Sequence, residues 1–323
     1  MSIKTVSVTL LSCVLSVSLQ AREVVSPDLL TATENAVFTD DGRYFVAGSD
    51  GIHEIRDEPA ANCAQDFNSD LYVCPLVAPA LENESCIFRG MTTDGTYLYA
   101  SCAVHPKNNT LFPATRSALF RVLPGTDGVD ELITRDFDDV LVPNGMAVGM
   151  DGSLYLSDTN ASLGILKKTA IVKLTFTDET TLDFVTEPWL PASPLYSLPN
   201  GLQIDGDTVY FVGGHNLWKI KIRGDGSAGF PILTYHTHGV TKLMDDLVIL
   251  PNAIAVAEFG LINGLGFNKI VLIKRRGFGF PRKILTGLTQ LSSLAWEEGD
   301  LFTPGSFVGT SFLQGGLHEF ERH

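Results

Sequence analysis

Short apolar runs separated by Asp/Gly turns recur along the whole chain, and helical periodicity of any length is hard to find. The repeating unit is a polar residue or pair, an apolar strand, a turn and a second apolar strand. It reads Glu34-Asn35-Ala36-Val37-Phe38 before Asp41-Gly42 and Tyr44-Phe45-Val46, then Arg89-Gly90-Met91 before Asp94-Gly95 and Tyr97-Leu98-Tyr99. Asn144-Gly145-Met146 leads through Asp151-Gly152 to Leu154-Tyr155-Leu156, and Asn200-Gly201-Leu202 leads through Asp205-Gly206 to Val209-Tyr210-Phe211. Two further copies start at Asp246-Leu247-Val248 and Ser293-Leu294-Ala295. The anchors at 34, 90, 144, 200, 246 and 293 stand 46 to 56 residues apart.

An Asp-Gly turn between apolar runs is a strong hairpin signal. More strand-like runs follow at 118–122, 170–174, 216–220 and 269–273. Each unit therefore holds roughly four strands, the content of a propeller blade. The expected fold is an all-β, six-bladed β-propeller whose closure removes long exposed edges. A two-domain β protein is the alternative.

The first residues read differently. Lys4, an apolar stretch over 6–17 and a small residue at Ala21 describe a secretory leader, so 1–21 is expected to be a signal peptide and 22–323 a single propeller domain. That places the protein outside the cytoplasm, secreted or periplasmic. Four cysteines remain after cleavage: Cys63, Cys74, Cys86 and Cys102. An even, clustered count in an oxidising compartment points to two disulfides with three possible connectivities. Cys86 and Cys102 flank a turn, which favours Cys63–Cys74 with Cys86–Cys102. CxxC-like spacing for zinc is absent.

Hydrophobic residues make up 45% of the 323-residue chain, which suits a packed globular protein. With 37 acidic and 23 basic side chains the formal net charge is -14, so the basic footprint needed for nucleic acid or anionic membranes is missing. No mature stretch is long and apolar enough to span a bilayer. A monomer acting on a small molecule is expected.

In a propeller the innermost strands line a central channel. Glu34, Asn144, Asn200 and Asp246 open such strands in four units, so closure would gather four oxygen-bearing side chains around one axis. Ca²⁺ takes six to eight oxygens from carboxylates, amides and water. Two carboxylates and two amides match that preference, and the expected cofactor is Ca²⁺. A single Pro-Asn-Gly is merely a turn before a strand. Pro143-Asn144-Gly145 and Pro199-Asn200-Gly201 in register, with acids at the same place in two other units, carry the metal reading.

On Glu34, the two Pro-Asn-Gly strands and Asp245-Asp246-Leu247, the chain resembles the calcium-dependent six-bladed propellers. These include the gluconolactonase and senescence marker protein family, diisopropyl-fluorophosphatase, paraoxonase and the strictosidine-synthase-like proteins. The resemblance implies a channel calcium held by Glu34, Asn144, Asn200 and Asp246, and hydrolysis of lactones or related esters. There are departures. Arg89-Gly90 replaces the Asn-Asp or His-Gly pair found on the second inner strand, and Asn200 stands where the gluconolactonases carry an aspartate.

The mechanism implied is metal-assisted hydrolysis. Asp245 or Asp246 would accept a proton from the attacking water, one of them serving as a ligand instead. Arg89 would bind a substrate carboxylate or stabilise an oxyanion. The alternatives are a non-catalytic propeller that binds a ligand or protein, and a metal-free enzyme on the same scaffold. His236 with His238, and His215 in a tight turn, are secondary candidates for a base. His53 and His318 sit in matching strand contexts and are expected on outer strands.

Overall fold

The computed structural model describes residues 17–18, 21–78, 84–106, 114–140, 142–159, 169–237, 242–260, 268–275, 280–286, 288, 290–296, 301–311 and 314–320. These form six sheets, antiparallel throughout except for one short parallel pairing at the outer edge of blade 5. Blade 1 comprises Thr33–Phe38, Tyr44–Gly48, Gly51–Arg56 and Tyr72–Val77, with the two-residue strand Ala64–Gln65 at its edge. Blade 2 runs Glu84–Thr93, Leu98–Pro106, Arg116–Pro124 and Val129–Asp136. Blade 3 is Pro143–Val148, Leu154–Asp158, Thr169–Asp178 and Asp183–Pro191; blade 4 is Pro199–Asp205, Thr208–Gly213, Asn216–Lys221 and Ile232–His236. Blade 5 consists of Lys242–Ile249, Ala253–Gly260, Lys269–Lys274 and Arg282–Leu285.

Blade 6 supplies Leu291–Trp296, Phe307–Ser311 and Leu317–Phe320 from the end of the chain and takes its fourth strand, Arg22–Val25, from the beginning. That exchange closes the ring. The first strand of every blade contacts the first strands of the blades on either side. The fold is thus the expected all-β propeller with about four strands per blade.

Alternation within the strands puts apolar side chains on both faces of each sheet, so the core lies between blades. Phe45, Ala47, Ile52 and Val77 of blade 1 pack on Cys86, Phe88, Leu98 and Val104 of blade 2. Tyr155 and Trp189 of blade 3 pack with Leu202, Phe211 and Trp218 of blade 4. The runs at 118–122, 170–174, 216–220 and 269–273 all lie in third strands.

Both disulfides form, Cys63–Cys74 and Cys86–Cys102. Cys86 and Cys102 join the paired first and second strands of blade 2, and the other bridge ties a blade 1 loop to that blade's fourth strand. Two disulfides indicate an oxidising, extracytoplasmic environment. The bridges span 11 and 16 residues of sequence, and loops of that size stabilise by about 2–4 kcal/mol each. Reduction is therefore expected to lower the melting temperature by more than about 5 °C. An unchanged melting curve after verified reduction would show that the bridges contribute nothing.

Of the expected leader, residues 1–16, 19 and 20 lie outside the described residues, while Val17–Ser18 pair in parallel with the outer strand of blade 5. Among the described residues no helix is long and apolar enough to cross a membrane.

Candidate functional site at the channel axis

The first strand of each blade carries a bulge at the same place. The pairing register slips at Glu34 in blade 1, Arg89 in blade 2, Asn144-Gly145 in blade 3, Asn200-Gly201 in blade 4, Asp245-Asp246 in blade 5 and Ser292 in blade 6. A bulge places two residues against one and re-aims a side chain. Matching the pairs on either side aligns Glu34, Arg89, Asn144, Asn200, Asp245 and Ser292 as one ring. The ring position in blade 5 therefore belongs to Asp245. Asp246 takes the next position, shared with Asn35, Gly90, Gly145, Gly201 and Ser293.

That next position is where neighbouring blades meet. A Cβ on Gly90 would lie 1.8 Å from the Asn144 carbonyl oxygen, one on Gly145 would lie 2.4 Å from that of Asn200, and one on Gly201 would lie 2.6 Å from the Asp246 Cα. The glycine of each Asn-Gly pair is thus demanded by the next blade's backbone. Hydroxyls join seams too, the blade 3–blade 4 seam again and that between blades 6 and 1. Ser157 donates to the Asn200 carbonyl at 2.7 Å, and Ser292 donates to that of Thr33 at 2.7 Å. Asp246 does the same between blades 5 and 6, its Oδ2 accepting from the Ser293 hydroxyl at 2.9 Å and the Leu294 amide at 3.1 Å.

The ring is acidic, with Asn144 and Asp245 buried and Glu34, Arg89 and Asn200 half-buried. Asn144 is 8% exposed, Asp245 and Asp246 are 7% each, and Glu34 lies 3.8 Å from the Arg89 Nη1. Asn200 donates its Nδ2 to Asp245. Burial pushes the Glu34 carboxyl upward, Arg89 opposes that shift and Asp246 adds to it. Asp245 is driven well above the usual carboxylate range by burial and by the charges of Glu34 and Asp246, against the pull of Arg89 and Asn200. Burial raises Asp246 to about 6 despite its bonds to Leu294, Leu247 and Ser293. Three carboxylates thus crowd a poorly hydrated place, and the Arg89 guanidinium compensates Glu34 and Asp245. A cavity of 230 Å³ adjoins the ring, lined by Met91, Met146, Leu202, neighbouring inner-strand residues and Asp246.

His105 was not among the sequence-based candidates, because its position has no counterpart in the repeat. It lies on the second strand of blade 2, opposite Ser85, and is 1% exposed. Burial, reinforced by Arg89, holds its imidazole below the usual histidine range. His215 sits in the turn after Gly213-Gly214 as expected, its ring 6.3 Å from that of His236, whose Nδ1 is 2.7 Å from Asn216 Oδ1. His238 lies outside the described residues. His53 and His318 occupy third strands, one place inward of the expected outer strands, and are 9% and 6% exposed.

Among the described residues no three His, Cys, Asp or Glu side chains form a metal-ligand group by themselves, so a centre here needs amide oxygens as well. The donor chemistry suits a hard cation. Glu34 and Asp245 offer carboxylates, and Asn200, having given its N–H to Asp245, keeps its carbonyl oxygen as an acceptor.

No family model matches the chain, and no curated protein matches it. Solved structures do. A chain from a nidogen/laminin complex aligns with TM-score 0.55 and 13% identity over 83% of this chain and 85% of its own. A glucose dehydrogenase aligns with TM-score 0.57 and 10% identity over 94% and 99%. A gluconolactonase from Xanthomonas campestris aligns with TM-score 0.48 and 15% identity over 71% and 70%. At such identities the likeness concerns the fold alone: a six-bladed scaffold that serves enzymes and also occurs in a protein–protein assembly.

Proposed function

We propose that the channel ring is a calcium centre serving the hydrolysis of lactones or related esters. The observation that carries this reading is the under-compensated charge. Asp245 and Asp246 are buried beside the half-buried Glu34 and all three are pushed upward, while Arg89 counters the shift at Glu34 and Asp245 and leaves Asp246 without a cation among the described residues. A divalent cation would relieve that repulsion. Glu34, Asn144, Asn200 and Asp245 would hold it. When bound, calcium supplies a Lewis acid for a carbonyl oxygen.

The chain's own groups divide the remaining work. Asp246 lines the cavity and is anchored through Oδ2 to blade 6, so its carboxylate is fixed in direction and suited to accept the proton of an attacking water. Asn200 holds Asp245 in place through its amide.

A binding propeller without turnover is the second reading. It is favoured by the contact between Arg89 and Glu34, which provides the ring with a cation of its own. Two measurements on purified protein decide. Calcium at a hundredfold excess over Kd stabilises the folded state by about 2.7 kcal/mol, so the melting temperature is expected to rise with calcium and fall with chelator. A panel of lactones, aryl esters and phosphotriesters is expected to show calcium-dependent turnover of the first two classes. Calcium binding without turnover favours the binding reading, and no response to calcium ends the metal reading.

A further inference from the structure

Blade 2 departs from its neighbours beside the ring. Its first strand pairs for five residues before the bulge, Glu84 to Phe88, against one residue in blades 1, 3, 4 and 6 and three in blade 5. The inner hairpin of blade 2 therefore runs on past the level of Glu34, Asn144 and Asn200, and Cys86–Cys102 ties its two strands together.

This extension carries polar groups without a hydrogen-bond partner among the described residues. Ser85 and His105 are directly opposed, so their side chains share a face. Among the described residues the Ser85 hydroxyl, both ring nitrogens of His105 and the Nε of Arg89 are buried without a hydrogen-bond partner. Leaving such groups unpaired is costly, so a cluster of them on one hairpin calls for a ligand. The available donors are a guanidinium, a hydroxyl and one imidazole N–H, which together suit an anion. Arginine's planar fork matches a carboxylate. The contact from Arg89 to Glu34, at 3.8 Å, is too long for a hydrogen bond.

We infer that Arg89, His105 and Ser85 form a carboxylate-binding pocket on the blade 2 hairpin, and that a divalent cation in the ring promotes its use by drawing Glu34 away from Arg89. The pocket makes the substrates carboxylate-bearing lactones or esters. The coupling arm rests on the calcium reading; the pocket itself does not. Because linkage is reciprocal, the carboxylate must strengthen cation binding by the same factor.

Cyclopentanecarboxylate and cyclopentanecarboxamide test this, being alike in ring and stable to hydrolysis. Calorimetry with calcium chloride present is expected to show the carboxylate binding at least tenfold more tightly than the amide. In Arg89→Gln that preference should fall to near unity, with Arg89→Lys retaining a fraction of it. His105→Phe and Ser85→Ala should each weaken carboxylate binding about threefold or more. Melting curves check that each variant is folded, and Ser85→Ala with Arg89→Lys keeps the test open should a bolder variant fail to fold. Equal binding of acid and amide to the unaltered protein, binding of neither at millimolar concentration, or an undiminished preference in Arg89→Gln would each overturn the pocket. With chelator in place of calcium, carboxylate affinity is expected to drop at least fivefold. An unchanged affinity there removes the coupling. A protein that takes no calcium yet prefers the acid refutes the calcium centre and leaves the pocket standing.

Discussion

Gly90→Ala is expected to destabilise the protein by about 3 kcal/mol or more, toward the upper end for overpacking a filled interior. The new methyl would be placed 1.8 Å from the carbonyl oxygen of Asn144 and 2.9 Å from its carbonyl carbon. Both atoms belong to the backbone of the next blade, so no side-chain rotation relieves the overlap. Relief requires the first strands of blades 2 and 3 to move apart, and Ser101, whose hydroxyl accepts from the Gly90 amide at 3.2 Å, stands on the other side. Gly145→Ala should behave alike, being 2.4 Å from the Asn200 carbonyl oxygen and 2.4 Å from the Leu202 nitrogen. Gly224→Ala is the control: nothing lies within 4 Å of its Cβ position, and a change below about 0.5 kcal/mol is expected. Thermal or urea unfolding measures all three. If Gly90→Ala melts within a degree of the parent, the blades do not meet backbone to backbone at the ring and the assigned packing is wrong.

The same contacts explain how far the sequence could be read. Strand, turn and strand repeating every 46 to 56 residues identifies six blades, because every copy keeps its apolar alternation and the first four keep an Asp-Gly turn between their strands. The choice between Asp245 and Asp246 was beyond that reading. Strand logic counts in twos, and a bulge inserts a residue whose presence only the pairing register reveals. With the bulge located, Asp245 joins Glu34, Asn144 and Asn200, while Asp246 turns out to bridge blades 5 and 6. The Asn-Gly pairs look like a site motif in sequence, yet half of each pair answers to packing. Ring closure by Arg22–Val25 was hidden because its partner strand lies at the far end of the chain. His105 was hidden because it sits on an extension that one blade possesses and the repeat does not.

Asp245→Asn is expected to separate stability from calcium in a way that a merely structural aspartate would not. The asparagine side chain keeps the size of Asp245 and an oxygen to accept the Asn200 amide, so packing and that hydrogen bond survive. What disappears is one of three carboxylates that repel one another. In chelator the variant should therefore be at least as stable as the parent. With calcium the order should reverse, since the parent gains about 2.7 kcal/mol at a hundredfold excess over Kd and the variant, having lost a charged ligand, gains little. Hydrolysis of a lactone, if the ring is its centre, should fall by about 10²–10³, the range typical for removing a group that stabilises developing charge. Asp246→Asn provides the contrast. Its carbonyl oxygen can still accept from Ser293 and Leu294, and calcium stabilisation should persist while proton acceptance, and turnover with it, is lost. Melting curves in chelator and in calcium, paired with initial rates, read both variants. An Asp245→Asn protein that is destabilised equally in the two conditions would make the residue a structural support and end its role as a ligand.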